Sequence, residues 1–164
     1  MFLLLICLQG FSFVSAQNNS FDKMLDGLLR FSVPTIQPAE LEAEILSDST
    51  IVLIDARASR EFEISHLKGA INLPEGEKEL LSALPPEYKN KKIVIYCSVG
   101  YRSEKMAELF LETGFSNVKN LYGGLFLWNN EGRNMVDSQN KPTSKIHPYN
   151  SSWGKWIIQG EKTY

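Results

Sequence analysis

The chain has 164 residues, of which 43% are hydrophobic and 11% aromatic, and its formal net charge at pH 7 is −2. This length is enough for one domain with its own hydrophobic core and too short for two comfortable ones. A general nucleic-acid binder usually carries a basic excess, which this composition lacks. We therefore expect a monomeric, single-domain protein with no nucleic-acid partner.

Residues 1–16 contain no charged side chain and end in Val14-Ser15-Ala16. A short apolar run followed by small residues is typical of a secretory signal peptide, cut here before Gln17. The run is too short and too interrupted for a comfortable membrane span; a short membrane anchor or a buried N-terminal strand is the alternative. We expect an exported protein, periplasmic or extracellular, without stable membrane insertion after the signal is removed.

Only two cysteines occur in the chain, and Cys7 lies within the predicted signal peptide. Cys97 is then the only thiol of the mature chain. A lone cysteine in an exported protein indicates a reactive thiol, and the alternative is a buried structural cysteine, which is common in proteins generally.

The predicted elements alternate between helices and strands. Residues 17–32 are predicted to form an N-terminal amphipathic helix, because apolar residues recur at helical spacing from Phe21 to Leu29. The elements predicted after it are a helix over 39–46, a strand over 51–54, a short helix over 59–63, a strand over 70–73, a helix over 77–84, a strand over 93–96, a helix over 102–113 and a strand over 118–121. Such alternation predicts an α/β domain over 33–130, with a central, mainly parallel sheet flanked by helices in three layers.

The C-terminal extension, residues 131–164, begins polar and turn-rich and ends in an apolar cluster around Trp153 and Trp156. We expect this cluster to pack back on the domain, and a partner-binding patch is the alternative. His147, which lies in the polar part beside Pro148, is expected to be solvated.

Cys97 directly follows the predicted strand over 93–96 and precedes a turn and a helix. Parallel sheets place their reactive groups beyond the carboxyl ends of the strands. A thiol at such a turn faces backbone N–H groups and the positive end of a helix dipole. Both favour the thiolate, which is the nucleophilic form of cysteine.

The loop after Cys97 has the composition of an anion cradle. Gly100 permits a tight turn, successive backbone N–H groups can form an anion-binding nest, and Arg102 adds a planar cation. Four residues separate Cys97 from Arg102, whereas cysteine phosphatases typically have five. The smaller loop suits a single sulfur atom better than a phosphate, and a phosphatase or an arsenate-type reductase is the less favoured alternative.

Three further motifs accompany the loop. They are Asp55-Ala56-Arg57 with Glu61 and Phe62, the segment from His66 through Gly69-Ala70-Ile71-Asn72-Leu73 to Pro74, and Gly123-Gly124 ahead of Trp128. In this order the motifs resemble the rhodanese (thiosulfate sulfurtransferase-like) family over about residues 33–130. The resemblance implies a catalytic cysteine at Cys97 and an anion-binding arginine at Arg102. Many active members have Arg directly after the cysteine. Ser98 stands there in this chain, which puts a preference for thiosulfate in doubt.

The resemblance implies a sulfurtransferase. The Cys97 thiolate would take the outer sulfur of thiosulfate or of a persulfide donor and pass it to a thiol or cyanide. Cys97 and Arg102 are the predicted catalytic residues, and the predicted substrate-binding residues are Ser98, Val99, Gly100, Tyr101 and Ser103. The expected partners are a small sulfur-containing anion or persulfide donor and a thiol acceptor, with no metal and no organic cofactor. A non-catalytic binding module of the same fold is the alternative.

The remaining charged residues of the motifs are interpreted as structural. Arg57 and Glu61 are four residues apart and are expected to pair on one helical turn. Asp55 is expected to bind backbone donors at the end of its strand, and His66 to order the turn before Gly69 by side-chain hydrogen bonds.

Overall fold

The structure is a computed structural model that describes residues 20–74, 81 and 84–164. The predicted signal peptide and most of the helix predicted over 77–84 lie outside the described residues. The chain divides into two compact units between Arg30 and Phe31. In the first unit, residues 20–28 form helix α1, where helical spacing of the apolar residues predicted it.

A parallel sheet lies at the centre of the second unit and, within the described residues, has five strands. The strands are β1 (Thr35–Ile36), β2 (Val52–Asp55), β3 (Ile71–Asn72), β4 (Ile93–Tyr96) and β5 (Val118–Leu121). Their order is β1-β5-β4-β2-β3, and every neighbouring pair is parallel. The predicted α/β class with a mainly parallel sheet is confirmed. Strand β1 was not predicted, because two residues are too few to show a hydrophobic period.

Strands β2 and β4 form the middle of the sheet, and every residue of both is buried. They pair in register from Val52 opposite Ile93 to Asp55 opposite Tyr96. Runs of β-branched and other apolar residues suit strands that are covered on both faces. Because the two strands end level with each other, the residues that follow them, Ala56 and Cys97, leave the same edge of the sheet.

Helices flank the sheet. They are α2 (Pro38–Ser47), α3 (Ser59–Ile64), a 3₁₀ helix (Pro86–Asn90), α4 (Tyr101–Glu112) and α5 (Gly124–Asn130). Helix α4 buries Met106, Ala107 and Phe110 in the core shared with β4. Helix α5 was expected only as a turn toward Trp128. Nearly all of its residues are buried, so no polar face marks a helical period in the sequence.

The C-terminal extension forms short elements rather than only turns: β6 (Met135–Val136), β7 (Pro142–Thr143), β8 (Lys145–Ile146), α6 (Ser151–Gly154) and β9 (Glu161–Lys162). Strands β6 and β7 are antiparallel, and β8 and β9 are parallel. The Asn130 side chain of α5 donates to the carbonyl oxygen of Trp156 at 2.8 Å and accepts from the N–H of Ile158 at 2.9 Å. The Asn130 side chain of α5 therefore joins the helix to the backbone of the extension.

Among residues 20–74, 81 and 84–164, we find no helix with the length and apolar character needed to cross a membrane.

Helix α5 begins against the backbone that carries Cys97. The N–H of Leu125 donates to the carbonyl oxygen of Cys97 at 2.8 Å, and the N–H of Phe126 donates to that of Ser98 at 3.0 Å. Gly124 has a φ of +55°, and a Cβ at this position would lie 2.4 Å from the carbonyl oxygen of Cys97. Glycine is thus required here both for the backbone angle and for the close approach.

We expect Gly124→Ala to lower the free energy of unfolding by more than Gly132→Ala does. Both glycines have a positive φ, +55° and +76°, so both substitutions incur the left-handed cost of about 1–2 kcal/mol. Only at Gly124 must a backbone contact also be relieved, since the nearest atom to a Cβ at Gly132 is 3.8 Å away. Urea unfolding followed by circular dichroism measures both losses, and equal losses would contradict this account.

Candidate active site

Cys97 directly follows β4 and is a free cysteine with 1% of its surface exposed. The N–H of Gly100 donates to its Sγ at 3.2 Å. This is one of the contacts between loop N–H groups and sulfur that the sequence predicts. The sequence places the thiol at the mouth of the loop, whereas the structure buries it at the end of β4, where the start of α5 is hydrogen-bonded to the Cys97 backbone.

The backbone of the loop is held by strand β5. Gly100 adopts a φ of +109° at the start of α4, and its carbonyl oxygen accepts from Asn120 Nδ2 at 3.0 Å. Ser103 Oγ donates to Asn120 Oδ1 at 2.7 Å, so its hydroxyl faces β5 and holds the loop in place. Asn120 was not among the predicted site residues. The available signal was the polar pair Lys119-Asn120 inside a predicted core strand.

Arg102 forms a bidentate ion pair with Glu61 of α3. Nη1 donates to Oε2 at 2.8 Å and Nη2 donates to Oε1 at 3.0 Å. Nη2 also donates to Ser98 Oγ at 3.0 Å. The Ser98 hydroxyl in turn donates to Glu61 Oε1 at 3.3 Å. The expected pairing of Arg57 with Glu61 is therefore wrong, because α3 turns the carboxylate toward the Cys97 loop.

The two charged groups of this pair stabilise each other. Burial by itself would raise the pKa of Glu61, but the hydrogen bonds and the charge of Arg102 outweigh it and leave the pKa below its usual value. Burial would lower the pKa of Arg102, but the hydrogen bonds with Glu61 and the charges of Cys97 and Glu61 hold that pKa above its usual value. The guanidinium charge is thus balanced by a carboxylate of the protein itself.

The other two predicted loop residues differ in exposure. Val99 is buried, whereas Tyr101 is 40% exposed and has the ammonium nitrogen of Lys105 at 4.3 Å from its ring centre. Within the part of the chain that the structure describes, we find no group of three or more His, Cys, Asp or Glu side chains placed to hold a metal ion.

Arg57 is fully buried and pairs with Asp55 at the end of β2. Its Nε donates to Oδ1 at 2.9 Å, and its Nη2 donates to Oδ2 at 2.6 Å. Nη2 also donates to the carbonyl oxygen of Ser65, just after α3, at 2.6 Å. As expected, Asp55 also binds a backbone donor, since its Oδ1 accepts from the N–H of Arg57 at 2.9 Å. Arg57 is structural too, but with Asp55 as its partner, and it ties the end of α3 to the edge of the sheet.

A family model described as the rhodanese-like domain matches residues 37–131. The chain belongs to the rhodanese-like domain family. The family resemblance carried by the motifs is thereby confirmed. The match ends at Glu131, so most of the C-terminal extension lies beyond the matched domain.

Individual relatives agree with this assignment. A tRNA uridine(34) hydroxylase of Staphylococcus saprophyticus is 37% identical over 98 residues, which are 55% of this chain and 29% of that protein. This chain therefore spans less than a third of that curated relative. A rhodanese-related protein of Thermoplasma volcanium matches with a TM-score of 0.57 and 27% identity, over 63% of this chain and 98% of that one. The thiosulfate sulfurtransferase of Pseudomonas aeruginosa shares the fold, with a TM-score of 0.60 and 21% identity over 76% of this chain and 23% of that one.

His66, in the segment after α3 of the rhodanese-like domain, stacks on Phe62 with ring centres 3.8 Å apart. Its Nδ1 lies 2.9 Å from the carbonyl oxygen of Phe62. The N–H of His66 donates to the carbonyl oxygen of Val136 in the extension at 2.8 Å. His66 thus orders the end of α3 and its junction with β6, rather than the turn before Gly69.

His147 of the extension is 4% exposed, so the expectation that it is solvated is wrong. It follows β8, and the parallel pairing of β8 with β9 brings Tyr164 to 6.2 Å, edge on to its ring. Its Nδ1 accepts a hydrogen bond from the N–H of Tyr149 at 3.0 Å. Burial lowers the pKa of His147, and the charges of nearby arginines act in the same direction.

Tyr149 brings an aromatic ring from the extension to the Cys97 loop of the rhodanese-like domain. Its ring centre lies 5.1 Å from Cζ of Arg102, and the residue is 47% exposed. Its φ is +65°, a left-handed angle that a bulky residue rarely adopts. Sequence reasoning missed Tyr149, because nothing in its neighbourhood indicates that it reaches a helix far earlier in the chain.

The melting temperature is expected to fall when the pH drops from about 7 to about 5, and His147→Asn should reduce this fall. The folded chain resists protonation of His147, because its pKa is lowered from 6.5. The unfolded chain takes up that proton, so stability is lost as the pH falls through the ordinary histidine value. Asn retains an oxygen that can accept the Tyr149 N–H. Thermal melts at both pH values measure the effect, and an unchanged pH dependence in His147→Asn would refute it.

Proposed function

We propose that this protein is a sulfurtransferase in which Cys97 carries a sulfur atom as a persulfide. The observation that carries the proposal is a free cysteine at the carboxyl end of the central strand, with the Gly100 N–H on its sulfur and Arg102 in the first turn of the helix that follows. Membership of the rhodanese-like family supports it. The reaction is covalent catalysis and uses side-chain and backbone groups of this chain.

In the first step the Cys97 thiolate attacks the outer sulfur of a donor. The sulfur–sulfur bond of the donor breaks, and its electron pair leaves with the remainder, as sulfite from thiosulfate or as a thiolate from a persulfide. In the second step an acceptor thiolate or cyanide attacks the outer sulfur of the Cys97 persulfide, and the Cys97 thiolate leaves. Charge and electrons balance in both steps without an oxidant. The Gly100 N–H is placed to donate to the Cys97 sulfur whenever it is anionic.

A non-catalytic binding module is the second candidate, and one observation favours it. Cys97 is 1% exposed, so very little of its surface is open to a donor. A module that only binds a partner does not need an accessible thiol.

We do not extend the activity of the tRNA uridine(34) hydroxylases to this chain. The chain spans 29% of the length of the Staphylococcus saprophyticus protein, and its net charge of −2 gives no basic excess for tRNA. The residues named for the sulfur-transfer step, Cys97 and Gly100, lie within the matched domain of this chain.

Purified full-length protein is expected to gain the mass of one sulfur atom when it is mixed with a sulfur donor. The gain should be lost again on addition of cyanide or a thiol, because the acceptor removes the outer sulfur of the persulfide. Intact-protein mass spectrometry measures both changes, and turnover is followed as thiocyanate when cyanide is the acceptor.

Two cysteine variants form a matched pair, with Cys97→Ser as the test and Cys7→Ser as its control. Cys97→Ser should abolish both the mass gain and the turnover, whereas Cys7→Ser should leave both unchanged. If the unaltered protein gains no sulfur from thiosulfate, an organic thiosulfonate or a thiol persulfide, the binding module becomes the better account.

We further infer that the protein is exported. The inference rests on the uncharged segment 1–16 and its small-residue end. When the full chain is expressed in a cell with a secretory pathway, the exported product should begin at Gln17 by mass spectrometry. Ala16→Arg should block this cleavage, because the processing site requires a small residue. A product that retains residues 1–16 in the unaltered chain would refute the inference.

A further inference from the structure

The Arg102 guanidinium already has hydrogen-bond partners within the protein. Both terminal nitrogens of Arg102 donate to Glu61, whose side chain is 2% exposed. Ser98, next to Cys97, is also hydrogen-bonded into this pair through its hydroxyl. A donor with two negative charges would meet a guanidinium that is already neutralised and a buried carboxylate beside it. The site is therefore poorly suited to bind an inorganic dianion.

An aromatic ring also lies next to the same guanidinium. The Tyr149 ring centre is 5.1 Å from Cζ of Arg102, and 47% of the residue is exposed. Arg102 thus has the carboxylate of Glu61 at its terminal nitrogens and lies over the ring of Tyr149. A half-exposed ring offers apolar surface to a ligand that approaches the loop.

The backbone of the extension fixes the position of Tyr149. Its left-handed φ of +65° is costly for tyrosine and persists only when the surroundings hold it. The buried His147 accepts its N–H at 3.0 Å, and the N–H of Asn150 donates to the carbonyl oxygen of Pro148 at 2.8 Å. The ring is therefore held next to Arg102 by local hydrogen bonds rather than by chance packing.

We propose that Tyr149 makes this site selective for organic, singly charged sulfur donors over inorganic thiosulfate. The proposal rests on the sulfurtransferase function proposed above, and it assigns specificity to a residue outside the matched domain, residues 37–131. The carbon group of the donor would lie against the Tyr149 ring, while the neutralised Arg102–Glu61 pair gives no advantage to a second negative charge.

Two sulfur donors that differ in their carbon group and in their charge test this selectivity. An aryl thiosulfonate and thiosulfate present the same outer sulfur, but the thiosulfonate carries an aromatic group and one negative charge fewer. With the thiosulfonate, the Cys97 thiolate bonds to the outer sulfur, the donor's sulfur–sulfur bond breaks, and its electron pair leaves with the arenesulfinate. The total charge is conserved, and no further reactant is needed.

The experiment measures kcat/KM for benzenethiosulfonate and for thiosulfate, with cyanide as the common acceptor. Tyr149→Ala should lower the ratio of the two values by roughly three- to tenfold, the size of one aromatic contact. Tyr149→Phe, which keeps the ring, should leave the ratio as in the unaltered protein. Comparing ratios between variants cancels the different intrinsic reactivities of the donors, and a general loss of stability would affect both donors alike.

A second variant tests the charge argument independently. Glu61→Gln keeps the shape of the side chain and removes its charge, so kcat/KM for thiosulfate should rise relative to that for benzenethiosulfonate. A Tyr149→Ala variant that transfers sulfur with an unchanged donor ratio would overturn the specificity proposal and leave the sulfurtransferase function standing. Absence of sulfur on Cys97 with either donor in the unaltered protein would overturn both.

Discussion

The bidentate ion pair between Glu61 and Arg102 is the contact on which the Cys97 loop depends. It joins α3 to the first turn of α4 and neutralises the guanidinium before any ligand is present. Ser98 is hydrogen-bonded to both partners, so the residue next to Cys97 is held by the same pair. The Glu61–Arg102 pair therefore sets both the shape of the loop and its charge. The donor preference that we propose follows from this neutralised pair.

The ion pair depends in turn on the register of the sheet. Strands β2 and β4 end level at Asp55 and Tyr96, and the buried pair of Asp55 with Arg57 extends this edge to the carbonyl oxygen of Ser65 beyond α3. Leaving one member of a buried pair without its partner typically costs about 3–5 kcal/mol. Such a pair is weak as a source of stability but strong as a constraint, because separating Asp55 from Arg57 would leave a buried charge without its partner.

The extension brings an aromatic ring to Arg102 that the matched domain does not contain. The matched domain supplies Cys97, Gly100 and Arg102, whereas Tyr149 comes from the short elements that follow it. The hydrogen bonds from α5 to Trp156 and Ile158 anchor these elements, and the pairing of β8 with β9 orders the segment that carries His147 and Tyr149. Function is therefore expected to differ between relatives that share the domain but not the extension.

Much of the fold could be predicted from the sequence, because β2 and β4 are built on apolar runs between clear breaks and α4 has a regular apolar period. Cys97, Gly100 and Arg102 could be chosen from their spacing alone, since the loop that contains them is continuous. Helix α5, the burial of His147 and the role of Asn120 could not be predicted, because each depends on what packs against it. The sequence by itself determined the order of the elements and the identity of the thiol. Only the tertiary structure decided that Glu61 pairs with Arg102 rather than with Arg57, and that the Tyr149 ring lies next to Arg102. Contacts between such distant residues depend on strand register and helix packing, which local periodicity does not encode.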